Sequence, residues 1–262
     1  MSLGKNYRLA RILKGLDNYF IVPIDHGFTL GPVSGLAKVH QFIRSLPEKT
    51  ISAIVAHQGI ARAIHPGLIQ KDISLILHLS GSTNLSPDPS SKHLVSSVEQ
   101  AIKLGADGVS IHVNLGANDE YRMLKDFSQI SAACHQWGMP LLAMVYARGE
   151  KIKNEYDADA IAHSTRLAWE LGADIVKVNY TGDVQSFRQV VNAVEIPVIV
   201  AGGAKSNADS SILSMIKDAI RAGGKGVAVG RNIFQHSNPS FISQEIAKVI
   251  SNPYQFTIKE VA

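Results

Sequence analysis

Gly172-Ala-Asp-Ile-Val-Lys-Val-Asn-Tyr180 is the stretch on which the reading of the fold turns. Before it, Ala158–Leu171 has the apolar spacing of an amphipathic helix, and Gly172 is the residue type that ends helices in a left-handed turn. After the glycine, Ile175–Tyr180 is short, apolar and rich in β-branched residues, as a covered strand is. A period of two puts Ile175, Lys177 and Asn179 on one face. Burying an ammonium there is costly, and the cheaper outcome is a depressed pKa and a neutral amine. A neutral amine on a rigid strand is the nucleophile of Schiff-base chemistry. The other reading of Lys177 is a side chain that snorkels to the strand end or pairs with a carboxylate.

Working outward, seven more runs of the same kind recur: Phe20–Asp25, Ala53–His57, Leu75–Leu79, Gly108–Val113, Leu141–Tyr146, Val198–Gly202 and Val227–Gly230. They begin roughly 20 to 35 residues apart, the spacing of β-α units. Helical patterns fill the intervals at Leu94–Leu104, Leu124–Trp137, Val184–Val194 and Ile212–Ala222, and Gly105 and Gly138 repeat the glycine stop of Gly172. Eight alternating units predict an α/β fold, a (β/α)8 TIM barrel built as a single domain over residues 1–262. An open doubly wound sheet is the alternative, but the G-x-G-x-x-G fingerprint after the first strand is missing. Arg8–Lys14 is a basic, amphipathic N-terminal extension suited to capping the bottom of a barrel.

Composition narrows the partners. The 262 residues carry a net charge of +4, and the basic residues are scattered rather than gathered on one face, which argues against nucleic acid. No apolar stretch approaches a membrane span, and the N-terminus has no signal-peptide pattern. Cys134 is the one cysteine, so no disulfide framework exists; the expected location is cytoplasmic, with Cys134 a packing residue. A basic balance also suits an anionic small molecule.

Chemistry in such a barrel gathers at the C-terminal strand ends. The first strand ends Ile24-Asp25-His26-Gly27: Asp25 is either a structural cap or a catalytic acid, and His26 is expected to face away from it. The fifth ends Val145-Tyr146-Ala147-Arg148, with Leu142, Met144 and Tyr146 on one face; a phenol at the mouth beside Lys177 can exchange a proton with a substrate oxygen. His57, His78 and His112 lack metal-ligand spacing, so no metal is expected. Gly202-Gly203 and Gly230-Arg231 follow the last two strands, where backbone N–H groups and an arginine grip phosphate in many barrels, with Lys205 nearby. Two ordinary glycine turns are the alternative there.

Several segments resemble the archaeal-type class I aldolases of the DeoC/fructose-bisphosphate aldolase superfamily. They are Ile21-Val-Pro-Ile-Asp-His-Gly27, His78-Leu-Ser-Gly81, Gly105-Ala-Asp-Gly-Val-Ser-Ile-His-Val113, Gly172-Ala-Asp-Ile-Val-Lys177, Tyr180-Thr-Gly-Asp183 and Val227-Ala-Val-Gly-Arg-Asn-Ile-Phe-Gln235. The nearest branch is that of the 2-amino-3,7-dideoxy-D-threo-hept-6-ulosonate synthases, which serve aromatic biosynthesis. The resemblance implies that Lys177 forms the Schiff base, Tyr146 donates a proton and Asp25 accepts one. It further implies that His26, Gly27, Phe28, Thr29, Ala147, Arg148, Gly202, Gly203, Gly230 and Arg231 contact substrate or phosphate. A phosphorylated ketose and a small aldehyde are the implied substrates, with no cofactor, in a homo-oligomer that is often a decamer.

The chain departs from the branch at Val178-Asn179, where small residues are expected, at Ser82-Thr83-Asn84, and at Ala147, where a proline is expected before the arginine. These positions bear on the substrate rather than on the imine. Other readings are a fructose-1,6-bisphosphate aldolase, a relative condensing dihydroxyacetone phosphate with aspartate semialdehyde, an isomerase-like or flavin-binding phosphate barrel, and a non-catalytic sugar-phosphate sensor.

Overall fold

The computed structural model describes residues 2–256; residue 1 and residues 257–262 lie outside it. Its strands are β1 (Tyr19–Pro23), β2 (Ala53–Ala56), β3 (Ser74–His78), β4 (Ser80–Gly81), β5 (His93–Leu94), β6 (Gly108–Leu115), β7 (Leu141–Ala147), β8 (Ile175–Val178), β9 (Val198–Ala201) and β10 (Gly226–Ala228). All but β4 and β5 form a closed parallel barrel in the order β1-β2-β3-β6-β7-β8-β9-β10, with β10 bonded back to β1. This is the (β/α)8 barrel expected from the alternating pattern.

The helices are α1 (Leu3–Leu13), α2 (His26–Leu30), α3 (Val39–Ser45), α4 (Gln58–Gln70), α5 (Val98–Lys103), α6 (Glu120–Trp137), α7 (Ala158–Glu170), α8 (Val184–Asn192), α9 (Asp209–Arg221), α10 (Arg231–Phe234) and α11 (Pro239–Ser251). One expected helix is cut short. The pattern predicts a start at Leu94, but Ser97 is the cap of α5, its hydroxyl accepting from the Gln100 N–H. His93 and Leu94 pair instead with Gly81 and Ser80 in the antiparallel β4–β5 hairpin.

Alternation along each barrel strand divides the core in two. Leu141, Ala143 and Val145 of β7 and Val176 and Val178 of β8 pack outward against the helices. Leu142, Met144, Tyr146 and Ile175 point into the barrel, joined there by Ile21, Val55, Ile76 and Ile199. The outer shell holds the helices on, whereas the inner one fills the lumen and leaves its polar residues to the upper rim.

The lower mouth is closed by α1. Lys5 pairs with Asp174 at 2.9 Å, Arg8 donates to the Gly138 carbonyl at 3.2 Å, and Arg11 pairs with Asp107 at 2.6 Å. Each partner lies just before a barrel strand, so three basic residues at helical spacing clamp the helix under β6, β7 and β8. Ile12, only 1% exposed, packs with the interior cluster above it. Ile12→Ala should destabilise the fold by about 2–4 kcal/mol through the cavity it leaves. Urea unfolding reads that loss, and activity per folded molecule should be unchanged.

Candidate active site

A cavity of about 420 Å3 opens at the C-terminal end of the barrel. Strand register decides what meets in it. Met144 lies beside Lys177 across β7 and β8, and Asn114 beside Tyr146 across β6 and β7. Lys177 is 8% exposed, its Nζ stands 3.9 Å from the Met144 sulfur, and it makes no ion pair among the described residues. Neither the strand-end escape nor the carboxylate pairing considered from the sequence is what the side chain does. Asn179, two residues on, reaches the same cavity and donates to Glu155 at 3.3 Å.

Tyr146 stands at the rim of β7 with the Arg148 guanidinium 4.4 Å from its ring centre and the His112 ring at 4.9 Å. The Arg148 Nε donates to Glu155 at 2.7 Å. Arg148 thus turns back over the phenol instead of running out into solvent, held by cation–π attraction on one side and a carboxylate on the other.

Asp25 precedes α2 but makes no cap bond. Its carboxylate faces His26 Nδ1 at 3.5 Å and His78 Nε2 at 3.8 Å. His26 was expected to face away; β1 ends at Pro23, so the strand alternation that predicted this stops before it reaches His26. Burial alone would raise the Asp25 pKa, but His78, His26, Lys177 and His57 outweigh it and hold the carboxyl down at about 2. His78 is pushed down to about 4 by burial, against the pull of Asp25. Its Nδ1 lies 2.8 Å from the Ser110 hydroxyl, which fixes the ring. At neutral pH the arrangement is a carboxylate among uncharged imidazoles.

The last two strands supply a different surface. Gly202 and Gly203 follow β9, and Gly230 and Arg231 open α10. A Cβ on Gly230 would stand 2.6 Å from the Pro23 carbonyl oxygen, so only glycine lets β10 pass β1 there. Asn232 ties the two turns together, its amide donating to the Gly202 and Ala204 carbonyls, both at 2.9 Å, and its oxygen accepting from the Ser206 N–H at 2.7 Å. The Arg231 Nε is buried without a hydrogen-bond partner among the described residues. A buried orphan donor beside glycine turns is what an anion site looks like when read from the protein side.

Lys177, Tyr146, Asp25, His26, Thr29, Arg148, Gly202, Gly203, Gly230 and Arg231 therefore share one cavity. Gly27 and Phe28 line an adjoining apolar hollow instead, Ala147 is buried, and Lys205 is exposed outside. Sequence reasoning gave no part to Glu155, Lys92 or Asn232. Asn232 stood in plain sight after Arg231, whereas the other two sit on connections that strand and helix patterns do not place. Cys134 is buried, with its thiol pushed up to about 12 by burial, and lies within α6.

Residues 19–236 match the model of a family described as DeoC/LacD family aldolase, and the chain belongs to that family. It is 42% identical over 236 residues to a 2-amino-4,5-dihydroxy-6-oxo-7-(phosphonooxy)heptanoate synthase of Streptomyces griseus, covering 90% of this chain and 86% of that one. It is also 42% identical over 248 residues to 2-amino-3,7-dideoxy-D-threo-hept-6-ulosonate synthase 1 of Archaeoglobus fulgidus, covering 95% and 91%. Among solved structures, an archaeal fructose-1,6-bisphosphate aldolase with its catalytic lysine bound to the carbinolamine intermediate superposes with a TM-score of 0.85. The two are 27% identical, over 94% of this chain and 99% of that one.

The histidine beside Asp25 makes stability depend on pH. Its folded value of about 4 lies below the ordinary 6.5, so between those values the unfolded chain binds more protons and stability falls as the solution is acidified. Asp25 adds a further loss between 3.8 and about 2. The melting temperature should drop between pH 6.5 and 4, and His78→Asn should make that drop shallower, the remainder coming from His26, His57 and His112, which burial also pushes down.

Proposed function

We propose that this chain is a class I aldolase of the transaldolase kind, which carries a three-carbon unit from a phosphorylated ketose to aspartate semialdehyde through an imine on Lys177. The favoured reaction is that of the 2-amino-3,7-dideoxy-D-threo-hept-6-ulosonate synthases, with 6-deoxy-5-ketofructose 1-phosphate as donor. The observation that carries it is Lys177, buried and without an ion pair among the described residues, in a cavity that Tyr146, Asp25 and the Gly202-Gly203 and Gly230-Arg231 turns also line.

The names of both relatives support the same acceptor. Each product is a seven-carbon 2-amino acid with a ketone at C6. Cutting the bond between C4 and C5 by a reverse aldol step gives 2-amino-4-oxobutanoate, which is aspartate semialdehyde, from either one. The remaining three carbons differ only in what C7 carries.

In the proposed cycle the Lys177 amine adds to the donor ketone beside the methyl group and water leaves, giving an iminium. Asp25 or Tyr146 takes the proton from the hydroxyl two carbons away. The carbon–carbon bond between breaks, its electron pair flows into the iminium, and a three-carbon aldehyde phosphate departs. The enamine left on Lys177 attacks the aldehyde carbon of the acceptor, whose oxygen receives a proton from Tyr146, and water then releases the product. Gly202, Gly203, Gly230 and Arg231 hold the donor phosphate, and positioning of this kind is worth several kcal/mol of barrier, on the order of 7–11 at best. A homo-oligomer, as the resemblance implies, and a cytoplasmic location belong to the same proposal.

A second reading has one observation in its favour. The Streptomyces griseus relative matches as well as the archaeal one, and its product keeps a phosphonooxy group on C7, beside the ketone. Dihydroxyacetone phosphate would then be the donor, with its phosphate one carbon from the imine. Product mass separates the two, since phosphate stays on the seven-carbon product only in the second.

Borohydride added with donor should trap one covalent adduct on Lys177, absent in Lys177→Ala; an adduct elsewhere, or none, rejects the imine. Tyr146→Phe should still trap donor but lose roughly 10^2- to 10^4-fold in kcat. Normal turnover by that variant would remove Tyr146 from proton transfer.

A further inference from the structure

The cavity contains a cation that the chemistry above leaves idle. Lys92 immediately precedes β5, on the hairpin that folds over the barrel mouth, and lines the cavity although it is only 8% exposed. Its Nζ donates to the Ser82 hydroxyl at 2.6 Å and the Pro89 carbonyl at 2.9 Å, both neutral oxygens. It makes no ion pair among the described residues. A buried ammonium hydrogen-bonded only to neutral acceptors keeps a third N–H for something else, and Asp25 and Asp88, neither of them in an ion pair with it, offset its desolvation only in part until an anion arrives.

Place in the ring says which anion. The hairpin rises between β3 and β6, whereas the glycine–Arg231 cradle follows β9 and β10. In the order β1-β2-β3-β6-β7-β8-β9-β10 these pairs are four strands apart, on opposite sides of the barrel. Lys177 on β8 and Tyr146 on β7 lie on the arc between them. Arg148, whose Nε is engaged by Glu155, stands on the Lys92 side of that arc and lines the same cavity.

We propose that Lys92, assisted by Arg148, forms a second anion subsite that receives the carboxylate of the acceptor aldehyde. The inference rests on the functional reading above, in which the acceptor is an amino acid semialdehyde. The seven-carbon product named for the Streptomyces griseus relative fits it: the ketone that forms the imine is at C6 with phosphate beside it on C7, and the carboxylate is at the far end. The two poles of the cavity match those two anions, whereas in the favoured reaction C7 is a methyl and the product uses the carboxylate pole alone. Burial and the neighbouring Arg148 both pull the Lys92 pKa down, and a bound carboxylate would oppose both. The same N–H would also suit a phosphate at the distant end of the donor, so the test must tell carboxylate from phosphate.

The wild-type protein is assayed with aspartate semialdehyde, with its carboxamide (2-amino-4-oxobutanamide) and with propanal, and donor binding is followed separately by borohydride trapping. Lys92→Met and Lys92→Arg are compared with it. The subsite predicts that replacing carboxylate by amide costs the wild type about 10- to 100-fold in kcat/KM, mostly through KM. In Lys92→Met that preference should vanish, with donor trapping and propanal turnover retained, and Lys92→Arg should restore part of it. A wild type indifferent to the amide overturns the proposal even if Lys92→Met does not fold. So do equal losses for all three aldehydes, which would make Lys92 a loop fastener. A defect confined to trapping of phosphorylated donors would assign the site to phosphate instead. A wild type that traps donor yet ignores aspartate semialdehyde removes the functional reading and this subsite with it. One that uses the semialdehyde equally well with and without Lys92 removes the subsite alone.

Discussion

The hydrogen bonding of β10 to β1 is the constraint on which everything else rests. Until that seam closes, the residues along the strand ends form a row; once it closes, they face a common centre. The seam is tight. A Cβ on Gly226 would stand 2.2 Å from the Tyr19 carbonyl oxygen, and one on Gly230 would meet Pro23, so the two glycines are conditions of closure. Closure also makes the period-2 alternation unambiguous, because a one-residue slip in any strand would send its rim residue out among the helices. The register that sets Met144 beside Lys177 is thereby fixed by the whole ring and not by one pair of strands.

Within the ring, charge is sorted by side. On the side of β1 to β3, Asp25, whose pKa is held down at about 2, stands as a carboxylate among histidines whose pKa values burial pushes down. Elsewhere on the rim Arg231 stands at one flank and Lys92 with Arg148 at the other, with Lys177 between them. A cavity with basic groups on both flanks, and two carboxylates of which Glu155 is already paired with Arg148, favours substrates with negative ends, and the low effective dielectric of the site magnifies that preference. The net charge of the whole chain, +4, points the same way but says little, since the effect depends on where the charges stand.

The sequence made the barrel legible because eight short apolar runs recur at nearly constant spacing, and Gly105, Gly138 and Gly172 mark the returns. Lys177 and Tyr146 were legible too, since each lies inside a strand where alternation fixes the direction of the side chain, and Asn179, one residue past the end of β8, still follows that alternation into the cavity. Legibility failed where the strands end. His26 sits on a helical turn after Pro23, so alternation pointed it the wrong way. Lys92 and Glu155 lie on connections, where no period exists to read. Leu94, the end of β5, reads as part of the following helix because Leu94 and Val98 share helical spacing, and only the cap at Ser97 separates the two. Helices α3, α4 and α11 went unnamed; Pro66 within α4 breaks the pattern that would have revealed it.

The clamped helix beneath the barrel governs traffic as well as stability. With Lys5, Arg8 and Arg11 fastening a stopper under β6, β7 and β8, small molecules are left to come and go by the upper opening. Because one enamine serves both aldehydes, the first fragment leaves before its replacement reacts. During that interval the reactive carbon is exposed to water, whose proton would end the cycle without product. The time the doorway stands empty therefore sets how faithfully such a protein transfers carbon instead of wasting it.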